Sequence, residues 1–190
     1  MSTLYLVRHG ETTLNAHDRL RGLADPDLNE HGKTQAAALG RALELRADDI
    51  RWVVSTPLRR ARETAEVIAD ALHVIPEVDP GFNDRDYGRW TGWPRQKVIG
   101  MFGTVDHAPG VEPVDAVVAR ARPALELWAD RCSTQGGSVV IVTHDAVIRP
   151  LLSDLGAEPT TAAVPTGSYQ VLSRDGGGWA VLESDQMPLG

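Results

Sequence analysis

Short apolar runs alternate with helical patterns along most of the chain. Runs typical of buried strands lie at residues 4–7, 52–54 and 139–142, and a weaker one lies at 73–78. Between them, apolar residues recur every three or four positions, as on one face of a helix, and these helical patterns begin near residues 30, 57, 114 and 146. Strands that alternate with helices form a mostly parallel sheet with helices on both faces. The pattern therefore predicts an α/β fold, a three-layer α/β/α sandwich with a mostly parallel central sheet.

Two segments depart from this alternation. Residues 79–113 are rich in Gly, Pro and Trp, and only 97–102 has a short helical pattern. Long irregular segments in compact domains are commonly lids or binding loops, so we expect this segment to determine substrate specificity. Weaker strands at 169–172 and 179–182 flank Asp-Gly-Gly-Gly at 175–178, which is typical of a hairpin.

Length, composition and charge narrow the class of protein. The 190 residues are 42% hydrophobic and 24% charged, which is typical of a globular chain, and we expect a single domain over residues 1–190. A net charge of −7 argues against nucleic-acid binding, which requires a basic surface. Cys132 has no second cysteine to pair with, and no zinc-site spacing occurs, so we expect a reducing compartment and no metal. Neither a leader pattern nor a run of about 18 apolar residues is present, so we expect a cytoplasmic protein with no membrane partner.

Ionisable side chains directly follow three of the predicted strands. Arg8 and His9 follow the first strand, and His144 follows the run at 139–142. Arg59 and Arg60 follow the second strand through Ser-Thr-Pro. Ligands of open α/β sheets bind beyond the carboxyl ends of the strands, where loops from separate strands meet. We therefore expect these side chains to form one site.

Histidine and arginine together suit phosphoryl transfer. The transferred group carries charge on its equatorial oxygens, and the planar arginine fork binds two such oxygens at once. A nucleophilic histidine has to be unprotonated, and neighbouring guanidinium groups lower its pKa. Because guanidinium and imidazole groups supply the positive charge, the predicted chemistry requires no metal and no cofactor.

Four blocks of sequence occur in order and span most of the chain. They are LVRHGET at residues 6–12 followed by Asn15, RLRG at 19–22 followed by Asp25, Leu28 and Gly32, STPLRRARETA at 55–65, and VTH at 142–144 followed by Arg149. This set resembles the histidine phosphatase superfamily, which includes the cofactor-dependent phosphoglycerate mutases. The resemblance implies a phosphoglycerate mutase-like fold and a small phosphorylated substrate.

The resemblance implies a role for each matching residue of the central site. His9 would become phosphorylated, Arg8 and Arg60 would hold the phosphate, and His144 would donate a hydrogen bond to a phosphoryl oxygen. Arg60 takes this role because it directly precedes Ala61 in the matching block. Arg59 and Arg62 are expected on a solvated helix face.

Four further residues are expected to bind substrate or phosphate. Asn15 would contact phosphate through its amide, and Arg21 and Gly22 would line the mouth of the pocket. A turn with polar caps is the alternative interpretation of these three. Tyr87 follows Asp84 by three residues, as a substrate-contacting tyrosine does in the mutase branch.

The expected general acid departs from the family pattern. The family usually has a glutamate four residues before a glycine in a segment that resembles residues 82–88, and this chain has Asp84 there. We expect Asp84 to be the proton donor, with Asp86, Asp145 and a loop-solvating role as alternatives. The family often has a serine where this chain has Pro113, and the preceding Glu112 either faces the pocket or begins a helix.

These residues predict a phosphomonoester hydrolase that acts through a phosphohistidine intermediate. One alternative is mutase-type transfer, which we disfavour because the segment between Gly88 and Pro109 is short and has Arg89, Arg95 and Lys97 as its cations. The other is a catalytically silent member that binds phosphorylated ligands. The sequence leaves the natural substrate and the oligomeric state open.

Overall fold

A six-stranded mixed sheet forms the centre of the computed structural model, which describes residues 2–46, 49–157, 164–176 and 178–188. The strands are β1 Ser2–Arg8, β2 Ile50–Ser55, β3 Glu77–Val78, β4 Ser138–Thr143, β5 Tyr169–Asp175 and β6 Gly178–Gln186. Their order is β3-β2-β4-β1-β5-β6. The first four are parallel to one another, β5 is antiparallel to β1, and β6 is antiparallel to β5. The predicted mostly parallel sheet is confirmed.

Helices cover both faces of this sheet. They are α1 Thr13–Ala16, α2 Glu30–Arg46, α3 Arg59–Leu72, α4 Arg95–Phe102, α5 Val114–Gln135 and α6 Asp145–Asp154. Successive side chains of a strand point to opposite faces. Leu4 and Leu6 of β1 accordingly pack with α5 and α6, whereas Tyr5 and Val7 pack with α2 and α3. The predicted three-layer sandwich is therefore confirmed. None of the helices in the described part of the chain has the length and apolar character needed to cross a bilayer.

The predicted strand at 73–78 is shorter in the structure. His73 adopts a left-handed conformation with φ of 56° and ends α3. The amides of His73 and Val74 donate to carbonyl oxygens in the last turn of that helix. Because these amides complete the helix, pairing with β2 begins only at Glu77.

Residues 79–113 fold over one end of the sheet and contain their own small core. The segment includes three short 3₁₀ turns and α4. Phe82 packs in the core below the sheet, whereas five other buried side chains pack with Leu20 and form a third cluster: Tyr87, Trp90, Val98, Val105 and Ala108. Its role in substrate specificity stays a prediction.

The carboxyl ends of three parallel strands lie level with one another. Arg8 at the end of β1 pairs with Thr143 at the end of β4. Ser55 at the end of β2 pairs with Val142. This register places the residues that follow these strands at one edge of the sheet.

Candidate active site

The two predicted histidines face each other at this edge. His9 follows β1 and His144 follows β4. Their ring centroids are 5.1 Å apart, and both side chains are buried. The sheet register therefore brings together the imidazoles that the sequence predicted to meet.

The hydrogen bonds of His9 define the protonation of its two ring nitrogens. Its Nδ1 lies 2.6 Å from the carbonyl oxygen of Gly10. A carbonyl only accepts, so Nδ1 carries the proton and Nε2 presents a lone pair. The Nε–H of Arg60 donates to that Nε2 over 3.2 Å. The loop that sets this geometry is tightly packed, because a Cβ on Gly10 would lie 2.4 Å from the carbonyl oxygen of Gly32.

Arg60 is the central cation of the site. It lies in the first turn of α3 with no exposed surface. Its Nη1 donates to the carbonyl of Ala24 over 2.7 Å, and its Nη2 donates to the carbonyl of Gly22 over 2.8 Å. Gly22 has a φ of 49°, and a Cβ there would meet Tyr87 at 3.0 Å, so glycine fits this position best. Gly22 thus positions Arg60 through its carbonyl, a role that the sequence did not predict.

The neighbouring arginines of α3 lie outside the site. Arg59 pairs with Asp27 over 2.6 Å, and Arg62 lies 3.8 Å from Glu66. All four side chains are more than half exposed. The sequence expected this solvated face.

The Asp84 carboxylate lies beside the guanidinium of Arg60 and near the imidazole of His144. Its Oδ2 lies 2.7 Å from Nη2 of Arg60 and 3.7 Å from Nδ1 of His144. Its Oδ1 accepts the amide of Arg85 over 2.8 Å. The loop that carries Asp84 is hydrogen-bonded to the end of β4, because the Thr143 hydroxyl donates to the carbonyl of Phe82 over 2.8 Å.

The two alternative acids have other contacts. Asp86 is exposed and accepts the amide of Gly88 over 2.7 Å. Asp145 is buried, but it pairs with Arg149 and accepts the amide of Val164. Of the three candidate acids, Asp84 is the one whose carboxylate contacts Arg60 and lies near His144.

Four buried nitrogen atoms around the site lack a hydrogen-bond partner among the described residues. They are Nε of Arg8, Nδ2 of Asn15, Nε of Arg21 and Nδ1 of His144. The amide oxygen of Asn15 is occupied by Thr12, which leaves its NH₂ group free to donate. A buried donor without a partner costs about 1–3 kcal/mol, so such groups in a native protein call for an explanation. An anionic ligand would supply acceptors for donors of this kind.

Three of these donor residues line one cavity. Arg8, Asn15 and Arg21 surround a space of about 400 Å³, together with Arg95 from the start of α4. Arg8 is itself held by a hydrogen bond to the carbonyl of Val164. The wall therefore has three guanidinium groups, which can bind an anion, and three carboxylates, those of Glu11, Asp18 and Asp145.

Burial and positive charge keep both imidazoles neutral. The pKa values of His9 and His144 lie well below 6.5, first because burial disfavours the charged ring and second because Arg60 repels it. The sequence identified the guanidinium effect but not the larger effect of burial. Burial, with repulsion from Arg21 second, lowers the pKa of Arg8 to about 10, so that side chain remains cationic at neutral pH.

Comparison with known proteins identifies the family of this site. A family model described as the histidine phosphatase superfamily (branch 1) matches residues 4–186. The chain belongs to the histidine phosphatase superfamily. It is 33% identical over 163 residues to a Bacillus subtilis protein named uncharacterized phosphatase PhoE, across 84% of this chain and 80% of that protein.

Other members of the superfamily have two kinds of name. The chain is 31% identical over 175 residues to the probable phosphoglycerate mutase GpmB of Salmonella choleraesuis, across 85% of this chain and 78% of that protein. A solved structure of a mycobacterial glucosyl-3-phosphoglycerate phosphatase, complexed with VO3, matches with a TM-score of 0.82 and 26% identity. That match covers 95% of this chain and 97% of the other. The family therefore includes both phosphatases and mutases.

Two residues of this histidine phosphatase site had no predicted role. The hydroxyl of Thr56 lies 3.0 Å from Nε2 of His144 and fixes the orientation of that ring. Thr56 lies in the third sequence block, directly after β2, which is the signal that could have identified it. Arg120 lies in α5 and binds the loop that carries Asp84. No sequence motif marks Arg120.

Tyr87 is buried in the third cluster, with 3% of its surface exposed. Burial raises the pKa of its phenol to about 12, so the hydroxyl stays protonated. Its contact with substrate stays a prediction. In the described part of the chain, no cluster of three or more His, Cys, Asp or Glu side chains could hold a metal ion.

Proposed function

We propose that this chain is a phosphomonoester hydrolase that transfers the phosphoryl group of a small phosphorylated metabolite first to His9 and then to water. The observation that carries the proposal is the buried, neutral imidazole of His9, whose Nε2 faces Arg60, together with the unpartnered buried nitrogen atoms of Arg8, Asn15, Arg21 and His144. The phosphatase names of a 33% identical relative and of a matching structure support hydrolysis.

In the first step, the substrate phosphate binds Arg8, Asn15 and Arg21 from the side of their cavity and meets His9, which follows Arg8 in the chain but is not itself part of the cavity wall. The Nε–H of Arg60 turns from Nε2 of His9 to a phosphate oxygen, and Nε2 attacks phosphorus, so that a P–N bond forms as the ester P–O bond breaks. Arg8 and Arg60 neutralise the equatorial oxygens. Nδ1 of His144 donates to one of those oxygens. This use of His144 gives its unpartnered ring nitrogen an acceptor.

Asp84 handles the proton in both steps. In its protonated form it gives a proton to the departing alkoxide, which leaves as the alcohol. A water molecule then attacks the phosphohistidine while Asp84 takes up a proton from that water. Inorganic phosphate leaves, and His9 returns to its neutral form. Asp84 is the candidate for this role because of its position: its carboxylate lies 3.7 Å from Nδ1 of His144 and also lines an adjoining cavity.

The proposal uses no metal ion. Charge on the transferring group is neutralised by guanidinium groups at fixed positions, which cost no reorganisation during the reaction. Arg60 is fixed by carbonyls at Gly22 and Ala24, and Arg8 by the carbonyl of Val164.

The test is a measurement of inorganic phosphate release from a panel of phosphorylated metabolites. The expected result is turnover by the wild type and by His107→Ala, which changes an exposed histidine, and none by His9→Ala. Activity retained in His9→Ala would overturn the proposal. With 3-phosphoglycerate, isomerised product in place of free phosphate would instead support mutase-type transfer.

A further inference from the structure

A second cavity adjoins Asp84. It has a volume of about 570 Å³, which is within the usual range for small-molecule sites. Apolar side chains form part of its wall, namely Leu23, Pro80, Val111 and Pro113. Because Asp84 is the proposed proton donor to the leaving group, the leaving group has to lie next to this residue. The cavity is therefore placed to receive that group.

The cation in the wall of this cavity has no donor left for a ligand. Arg120 has five N–H donors, and each has a partner. Its Nε and Nη2 bind the Glu112 carboxylate over 3.0 and 3.2 Å. Its remaining N–H groups donate to the carbonyls of Gly81, Asn83 and Asp84 over 3.1, 2.7 and 3.1 Å. Arg120 therefore stabilises the loop and cannot bind a substrate carboxylate without losing one of these bonds.

The other polar groups in the wall accept hydrogen bonds or carry negative charge. Oδ1 of Asn83 is buried and has no hydrogen-bond partner among the described residues. Asp86 is exposed, and no ion pair within the described ranges neutralises its carboxylate. Glu112 is already paired with Arg120. An unpaired acceptor favours a hydroxyl donor, and an unpaired carboxylate disfavours a second anion.

We propose that this cavity binds the leaving alcohol of the substrate and selects for an uncharged, hydroxyl-bearing group over one that carries a carboxylate. The inference rests on the proposed hydrolase function and specifies its substrate class as phosphomonoesters of neutral polyols. A hydroxyl of the leaving group donates to Oδ1 of Asn83, and its carbon skeleton packs against Leu23 and Val111. Asp86 repels an anionic substituent.

Two substrates of equal size test this selection. Glycerol phosphate and 3-phosphoglycerate of matching configuration differ in that one carries a hydroxymethyl group where the other carries a carboxylate. The wild type is expected to show a kcat/KM for glycerol phosphate that is at least about tenfold higher, because like charges are disfavoured in a binding site. An equal or higher value for 3-phosphoglycerate would overturn the inference.

Substitutions at the cavity wall test the cause of this substrate preference. Asp86→Asn removes the charge and keeps an oxygen for the amide of Gly88. It is expected to reduce the preference for glycerol phosphate about three- to fivefold, the effect of one exposed charge. Asp70→Asn makes the same charge change at an exposed position of α3 and serves as the matched control. An unchanged preference in Asp86→Asn, or an equal change in Asp70→Asn, would overturn the inference.

The hydroxyl contact has its own test. Asn83→Leu keeps the size of the side chain and removes the acceptor. The kcat/KM for glycerol phosphate is expected to fall about fivefold more than that for p-nitrophenyl phosphate, whose leaving group lacks the second hydroxyl. Equal losses would contradict the assigned contact. If p-nitrophenyl phosphate is not hydrolysed in a His9-dependent manner, the proposed function itself fails, and this inference fails with it.

Discussion

Nη2 of Arg60 lies 2.7 Å from Oδ2 of Asp84, and both side chains are buried. The same guanidinium donates through Nε to Nε2 of His9. One side chain therefore connects the proposed nucleophile to the proposed proton donor. When a phosphate enters, its oxygens and the Asp84 carboxylate compete for Arg60. This competition leads to the first prediction.

Asp84→Asn is expected to separate binding from turnover. Turnover of alkyl phosphates should fall about 10²- to 10⁴-fold because the general acid is lost. Inhibition by inorganic phosphate should become tighter, because Arg60 no longer shares its charge with a carboxylate. Steady-state kinetics with p-nitrophenyl and alkyl phosphates test both effects. Equal losses for the two kinds of substrate would contradict an acid role, since p-nitrophenolate leaves without a proton.

Arg120→Met is expected to misplace Asp84 without touching the phosphate. Arg120 holds the carbonyls of Asn83 and Asp84, and small misplacements of a reacting group cost up to about 10²-fold in rate. The expected result is a lower kcat for alkyl phosphates and a smaller change for p-nitrophenyl phosphate. Arg122→Met is the matched control, because Arg122 lies on the same helix and pairs with Glu126 and Asp154. Equal losses in both variants would contradict a positioning role.

The low pKa values of the two buried histidines predict a loss of stability in acid. Below pH 6.5 the unfolded chain binds protons that the folded chain cannot bind, so stability is fully present above that pH and falls as the pH drops. Each histidine contributes a slope of about 1.4 kcal/mol per pH unit. Urea unfolding at a series of pH values below 6.5 measures the free energy of unfolding against pH. For His144→Gln, the slope of this plot is expected to be shallower by about that amount. His107→Gln, at an exposed position, should retain the wild-type slope, and an unchanged slope in His144→Gln would contradict burial as the cause.

Thr56→Val is expected to weaken catalysis by freeing the ring of His144. Valine has the shape of threonine but cannot hydrogen-bond to Nε2 of His144. The kcat/KM should fall about tenfold, as expected when a buried polar group loses its partner. Thr56→Ser keeps the hydroxyl and should restore most of the activity. Wild-type activity in Thr56→Val would show that the hydrogen bond does not orient the ring.

The layers of the fold and the convergence of the histidines could be predicted from the sequence. Both follow from apolar runs that end in Arg8-His9 and Thr143-His144, because parallel strands place their carboxyl ends at one edge. The role of Arg120 could not be predicted, because the contacts that fix the Asp84 loop are made to backbone carbonyls distant in the chain and leave no sequence pattern. The late start of β3 was also hidden, because the left-handed His73 that ends α3 has no strong sequence signal.

The most direct test of the account is to identify the residue that carries the phosphoryl group. Rapid acid-free quenching with ³²P-labelled substrate, followed by peptide mapping, measures the label on each residue. We expect an alkali-stable, acid-labile phosphohistidine at His9, which is absent in His9→Ala. Label on His144 or on any other residue, or label that persists in His9→Ala, would contradict it.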